Sequence, residues 1–223
     1  MRRTERGGGR PDEAAQVVTF DDLVARAVAL AAGPRRILGI TGPPGAGKSS
    51  LAARLVVALA DRAVLVPMDG FHLAERELHR LGRHARKGAI DTFDADGFVA
   101  LIRRMQRPGG ATVYAPEFRR ELEEAVAGAI AVTADVPLVV TEGNYLLVPD
   151  GPWAELRELL DEVWYLDLDE RVRLKRLADR HVAFGRGPAE AAARARGTDQ
   201  ANAELIATTA DRADAVIRLA SAR

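Results

Sequence analysis

Apolar residues recur along this chain at two intervals. In DDLVARAVALAAG, from Asp21, they fall at helical spacing behind an acidic start, with Gly33 near the end, and predict a surface helix. RRILGITG is different, a short apolar run entering a glycine-rich turn, and KSSLAARLVVALAD behind it returns to the helical interval. Together they predict a strand, loop, helix unit. AVLVPMD, VPLVVTEGNYLLV and VWYLDL read as further strands, because near-continuous apolar runs suit a parallel sheet covered on both faces. DAVIRL reads as the last.

Helices are predicted from about Asp96 to Gln106, in GPWAELRELLDE, and in DERVRLKRLADRHVAFG, with Asp169 as its N-cap and Gly185 past its end. One or two more follow in GPAEAAARARGTDQANAELIATTADRA. Residues 74–93, crowded with Arg and His, have no period and read as an irregular excursion. RPGGATVYAPEFRR reads as a loop, leading into a mixed segment that ends near Thr133. Strands alternating with helices predict an α/β fold with a mostly parallel sheet, and there is no internal repeat.

With 223 residues the chain suits one domain, expected over 12–223, behind a Gly/Arg-rich tail at 1–11 that should be disordered. Its zero net charge gives no reason to expect a nucleic-acid surface. No apolar run approaches the roughly 20 residues of a membrane span, and the first residues lack the apolar core of a signal peptide, so the expected location is cytoplasmic, away from membranes. Zero cysteines exclude disulfides, thiolate metal sites and thiol nucleophiles. His79, His84 and His181 read as scattered, without metal-ligand spacing. Lys48, Lys87 and Lys175 are the only lysines in a chain whose other cations are arginines.

One of those lysines carries the firmest chemistry. Gly42, Pro43, Pro44, Gly45, Ala46, Gly47, Lys48 and Ser49 fit G-x-x-x-x-G-K-[ST], after a predicted strand and opening a predicted helix. Glycines let backbone N–H groups converge on phosphate oxygens, and the positive end of the helix, from Ser49 and Ser50 onward, points at the same anion. Lys48 is expected on the outer phosphates and Ser49 on Mg²⁺. No lysine is preceded by Asn or Thr, which argues against the guanine-reading motif of GTPases, and no LSGGQ-like stretch marks an ABC-type ATPase. A small phosphotransferase is what is left.

Downstream, Asp69 in MDGFH, DTFDADGF at 91–98, YAPEF at 114–118 and TEGNYLL at 141–147 follow the loop in order. With the P-loop they resemble the uridine kinase, phosphoribulokinase and pantothenate kinase group, nearest its bacterial nucleoside/nucleotide kinase-like, or fructose-transport-system kinase-like, branch. The resemblance covers about residues 20–220. It implies a P-loop NTPase fold: a five-stranded, mostly parallel sheet with helices on both faces and a helical lid, placed here at about 173–200. It also implies an ATP- and Mg²⁺-dependent kinase that phosphorylates a hydroxyl of a sugar, nucleoside or pantothenate-like alcohol, with Asp69 beside that hydroxyl as catalytic base. The alternative is a nucleotide-binding regulatory protein without transfer activity.

The remaining candidates sit around that picture. Glu142, ending an apolar strand, is placed to hold Mg²⁺ or orient the acceptor, with Asn144 beside it. Phe71 and His72 could line the acceptor pocket or serve only in packing. Asp94 is either an N-cap or an acceptor-side acid, and Tyr114 and Phe118 are expected on the opposite wall. Arg119 stands where the branch pattern has an acid, which leaves the acceptor open. Arg173, Arg176 and Arg180 share one helical face, a stripe that could be solvated or could clamp phosphate; Arg180 and Arg186 are the expected clamp. Oligomeric state stays open between monomer and homodimer.

Overall fold

A computed structural model of the protein describes residues 15–107, 110–183 and 187–220; the tail expected at 1–11 lies outside them. Six parallel strands form the main sheet in the order β1-β8-β7-β2-β6-β3. They are β1 (Gln16–Val18), β2 (Arg36–Thr41), β3 (Ala63–Leu65), β6 (Leu138–Glu142), β7 (Glu162–Leu166) and β8 (Ala215–Leu219). The strand that the five-stranded expectation lacks is β1, three residues of edge paired to β8 at Gln16 to Val18. So short a run shows no period.

The central strands are buried on both faces, and their alternation divides the core in two. Leu38, Ile40, Val140 and Trp164 turn towards α1 (Phe20–Leu30) and α2 (Lys48–Leu59), meeting Leu23, Ala27, Leu51 and Leu55. Ile37, Val139 and Val163 turn the other way, onto Phe98, Ile102 and Met105 of α4 (Ala95–Met105) and onto Tyr145 and Trp153. Each fully buried Leu or Ile contributes about 1.5–3 kcal/mol relative to exposure. α1 begins with a capping box in which Asp22 N donates to Thr19 Oγ1 at 3.2 Å and Thr19 N donates to Asp22 Oδ2 at 2.9 Å. Removing the Thr19 oxygen would cost about 1 kcal/mol.

Two segments read as irregular from sequence are ordered. β4 (Val113–Arg119) and β5 (Glu124–Val132) form an antiparallel hairpin, with a register shift between Ala115 and Glu117. Pro116 sits at that irregularity because it has no N–H for the ladder. The hairpin packs on the 3₁₀ turn Met68–Phe71 through Gly70, where a Cβ would stand 2.4 Å from the Pro116 carbonyl oxygen. Within residues 74–93, α3 (Glu75–Arg80) leads into short 3₁₀ turns at His84–Arg86 and Ile90–Thr92. His79 and His84, expected to be scattered, stack with ring centroids 4.1 Å apart, because the turn after α3 folds back on it.

α5 (Leu156–Leu159) joins β6 to β7, and α6 (Glu170–Ala183), α7 (Pro188–Arg196) and α8 (Thr198–Ala207) lie between β7 and β8. Asp169 Oδ1 accepts from Arg171 N at 2.9 Å and Val172 N at 3.2 Å, the predicted N-cap of α6. Among the described residues no helix is long and apolar enough to cross a membrane.

Candidate active site

Register places the site. Ile40 of β2 lies opposite Glu142 of β6, so the loop after β2 begins level with the carboxylate ending β6. This is the carboxyl edge of the sheet, where open parallel sheets bind ligands. The loop turns through Gly42, Gly45 and Gly47 at φ of 141°, 85° and 102°, values in which a side chain is disfavoured. It delivers Lys48 to the first turn of α2, 7% exposed, with Nζ donating to the carbonyls of Gly42 at 2.9 Å and Pro43 at 3.2 Å. Burial pulls this amine down to about 8, against the upward influence of Glu142 and Asp69. A buried cation resting on its own loop's carbonyls is ready for an anion.

Beside it, Ser49 Oγ donates to Glu142 Oε1 at 2.9 Å. Glu142 is buried, and burial first, then Asp69, push its carboxyl up to about 7, opposed by Lys48 and the Ser49 hydrogen bond. A hydroxyl and a carboxylate are hard oxygen donors of the kind Mg²⁺ takes.

Asp69 arrives from the adjacent strand. β3 pairs with β6 and ends short of Val66, whose N–H still bonds the Val140 carbonyl at 2.8 Å. Met68 is then fully buried against Gly143, where an added Cβ would lie 2.6 Å from Met68 Cβ. This contact sets the residue after Met68 beside the residue before Gly143, so Asp69 and Glu142 share one cleft. An antiparallel bridge between His72 and Phe93 pins the far end of the turn. His72 Nδ1 lies 2.9 Å from the Asp69 carbonyl oxygen, and its ring packs between Phe93 at 4.0 Å and Phe118 at 5.0 Å. Burial draws the imidazole below its ordinary pKa, against the pull of Asp69.

The cleft has a volume of about 720 Å³. Residues Pro44 to Ser50, Asp69, His72, Phe118, Glu142, Asn144 and Arg180 line it, and Gly42 and Pro43 hold Lys48 from behind. Three further candidates lie outside the lining. Phe71 packs edge-on to Phe98 at 5.2 Å; Asp94 caps α4, accepting from Gly97 N at 2.9 Å; Tyr114 is 59% exposed on the hairpin. Arg186 lies outside the described residues. Arg119 pairs with Glu117 at 2.5 Å on the hairpin surface. Of the arginine stripe, Arg173 is buried and donates to the Pro44 carbonyl at 3.5 Å and to Gln200, clasping α6 to the loop. Arg176 and Arg180 face the cleft.

Sequence reasoning missed one wall. Lys87 stands 5.0 Å over the Phe118 ring, pairs with Glu75 and donates to the Glu123 carbonyl at 2.7 Å. The Gly88 carbonyl next to it accepts from Tyr145 Oη at 2.6 Å and from Asn202 Nδ2 of α8 at 3.0 Å. Arg120 and Asp199 also line the cleft. The rarity of lysine was the one available signal for Lys87.

Residues 37–222 match a protein-family model described as the phosphoribulokinase / uridine kinase family. A Schizosaccharomyces pombe protein named "Putative uridine kinase C227.14" is 37% identical over 183 residues, covering 78% of each chain. An Aspergillus versicolor protein named as ATP-dependent kinase-like is 34% identical over 148 residues, 62% of this chain and 86% of its own. Among solved structures, one described as a "putative fructose transport system kinase" from Silicibacter sp. TM1040 superposes with a TM-score of 0.81 at 35% identity, covering 89% of this chain and 98% of that one.

Proposed function

This chain belongs to the phosphoribulokinase and uridine kinase family and is a P-loop small-molecule kinase, and we propose that it transfers the γ-phosphoryl group of ATP, with Mg²⁺, to a hydroxyl of a sugar, nucleoside or pantothenate-like alcohol. The observation that carries this reading is the convergence of Lys48, the Ser49–Glu142 pair and Asp69 in one cleft, from three neighbouring strand ends.

Phosphoryl transfer needs alignment, charge neutralisation and somewhere for a proton to go. The loop amides and Lys48 hold the triphosphate, Nζ exchanging the Gly42 and Pro43 carbonyls for phosphate oxygens. Ser49 and Glu142 would hold Mg²⁺, which would supply neutralisation of charge on the phosphate oxygens. Asp69 orients the acceptor hydroxyl and receives its proton as the new P–O bond forms and the bond from the γ-phosphorus to the β,γ-bridging oxygen breaks, that oxygen leaving on ADP. His72 and Phe118 supply an aromatic wall for the acceptor. Arg180, and Arg176 beside it, stabilise charge on the transferring group from α6, which with α7 serves as the lid.

The test is ADP release by the purified protein with Mg²⁺, ATP and a panel of sugars, nucleosides and vitamin-like alcohols. Turnover that depends on one acceptor class supports the proposal and names the substrate. ATP binding with no acceptor-dependent turnover across the panel favours a nucleotide-binding protein without transfer activity.

A further inference from the structure

Away from the phosphate-binding loop, Glu75, His79 and His84 bring one carboxylate and two imidazoles together, a ligand atom from each lying within 4.8 Å of the others. Glu75 and His79 stand one turn apart on α3, at the i, i+4 spacing that shares a face, and His84 opens the 3₁₀ turn that folds back on it. The two rings stack with an interplanar angle of 16°, and His84 Nε2 lies 2.8 Å from Glu75 Oε2.

We propose that Glu75, His79 and His84 form a binding site for a divalent transition-metal ion of the Zn²⁺ class. Two imidazole nitrogens and one carboxylate oxygen suit such an ion, whereas Mg²⁺ and Ca²⁺ take oxygen alone. Metal–ligand bonds of about 2.0–2.1 Å in a tetrahedron set the ligand atoms roughly 3.3–3.4 Å apart. Both histidines are exposed, so turning their rings at χ1 and χ2 closes that gap.

The surrounding charges permit a cation there. Lys87 pairs with Glu75 through Oε1, which leaves Oε2, the oxygen facing His84, for the ion. Lys87 is also held by Glu123, through its carbonyl at 2.7 Å and its carboxylate at 3.5 Å, so sharing Glu75 does not strand the ammonium. Nearby, Arg80 is tied to Glu77, and Arg83 and Arg86 to Asp91. Lys87 lines the cleft, which puts the ion one carboxylate away from the acceptor wall and separate from the Ser49–Glu142 pair.

The test is titration of the metal-free full chain with Zn²⁺ by calorimetry, paired with thermal melts and with no nucleotide present. One equivalent should bind and raise Tm. His79→Gln and His84→Gln should each weaken that equivalent by at least about tenfold, while Glu142→Gln should retain it. Both histidines are exposed, so the variants should melt like the parent in the absence of metal. Zn²⁺ affinity within about twofold of the parent in the double histidine variant would overturn the site, as would weak binding spread over several equivalents or no binding at all.

Discussion

Ser49 Oγ and Glu142 Oε1 are joined by a 2.9 Å hydrogen bond that ties the first turn of α2 to the end of β6. Glu142→Gln keeps an acceptor for the hydroxyl and removes the charge. It should lower kcat by about a hundredfold and raise the Mg²⁺ concentration needed for half-maximal rate, with metal-free nucleotide affinity nearly unchanged. Steady-state rates across a Mg²⁺ series, beside nucleotide titrations in chelator, check this.

The same carboxyl gives the ligand-free protein a pH dependence of stability. Glu142 is pushed from 4.5 up to about 7, so between those values the folded chain keeps a proton that the unfolded chain has lost. Stability therefore falls as pH rises from about 4.5 to about 7. Lys48, drawn from 10.5 down to about 8, acts oppositely: the unfolded chain holds the extra proton there, and stability rises across that window. His72, drawn below its ordinary pKa, adds an opposite slope to parent and variant alike, so melting curves from pH 4.5 to 7 should show a more negative slope in the parent than in Glu142→Gln. Equal slopes in parent and variant would remove Glu142 as its source.

Asp69→Asn tests the proton acceptor. Turnover should fall by about 10²–10⁴-fold, with ATP affinity held within a small factor because Lys48 and the loop are untouched. Near-parental turnover would take Asp69 out of the chemistry.

Gly143→Ala tests how Asp69 is positioned. The new Cβ would lie 2.6 Å from Met68 Cβ and 2.7 Å from its sulfur, so strand ends now in contact must part. The expected cost is about 1–3 kcal/mol of stability, measured by urea unfolding, with a drop in kcat larger than any change in ATP affinity.

The phosphate-binding loop was legible because strand, glycine turn and helix each leave a local signature in Arg36–Leu59. The central strands announced themselves through burial on both faces. The hairpin did not: Pro116 breaks the alternation of β4, and β5 reads EAVAGAIAV, whose alanines and glycine carry little strand preference. Asp69 and Glu142 were found as strand-end acids, but nothing local says that Met68 and Gly143 touch, since that depends on β3 pairing with β6. Lys87 and the Glu75, His79 and His84 cluster lie in a stretch without period. Their meeting is a product of chain reversal after α3 rather than of any motif.

Gly88 offers one carbonyl to two donors: Tyr145, fixed in the core behind β6, and Asn202 on α8, the helix that follows the proposed lid. A carbonyl gripped in this way ties the Lys87–Gly88 side of the cleft to the core and to α8. In the proposed kinase, nucleotide bound on one side of this tie should tighten acceptor binding on the other, and thermodynamic reciprocity then requires that acceptor tighten nucleotide binding by the same factor. Asn202→Leu, which keeps bulk and removes the donor, should shrink both factors together while each ligand alone still binds. Synergy unchanged in Asn202→Leu would leave the Gly88 carbonyl a tie within the fold and nothing more.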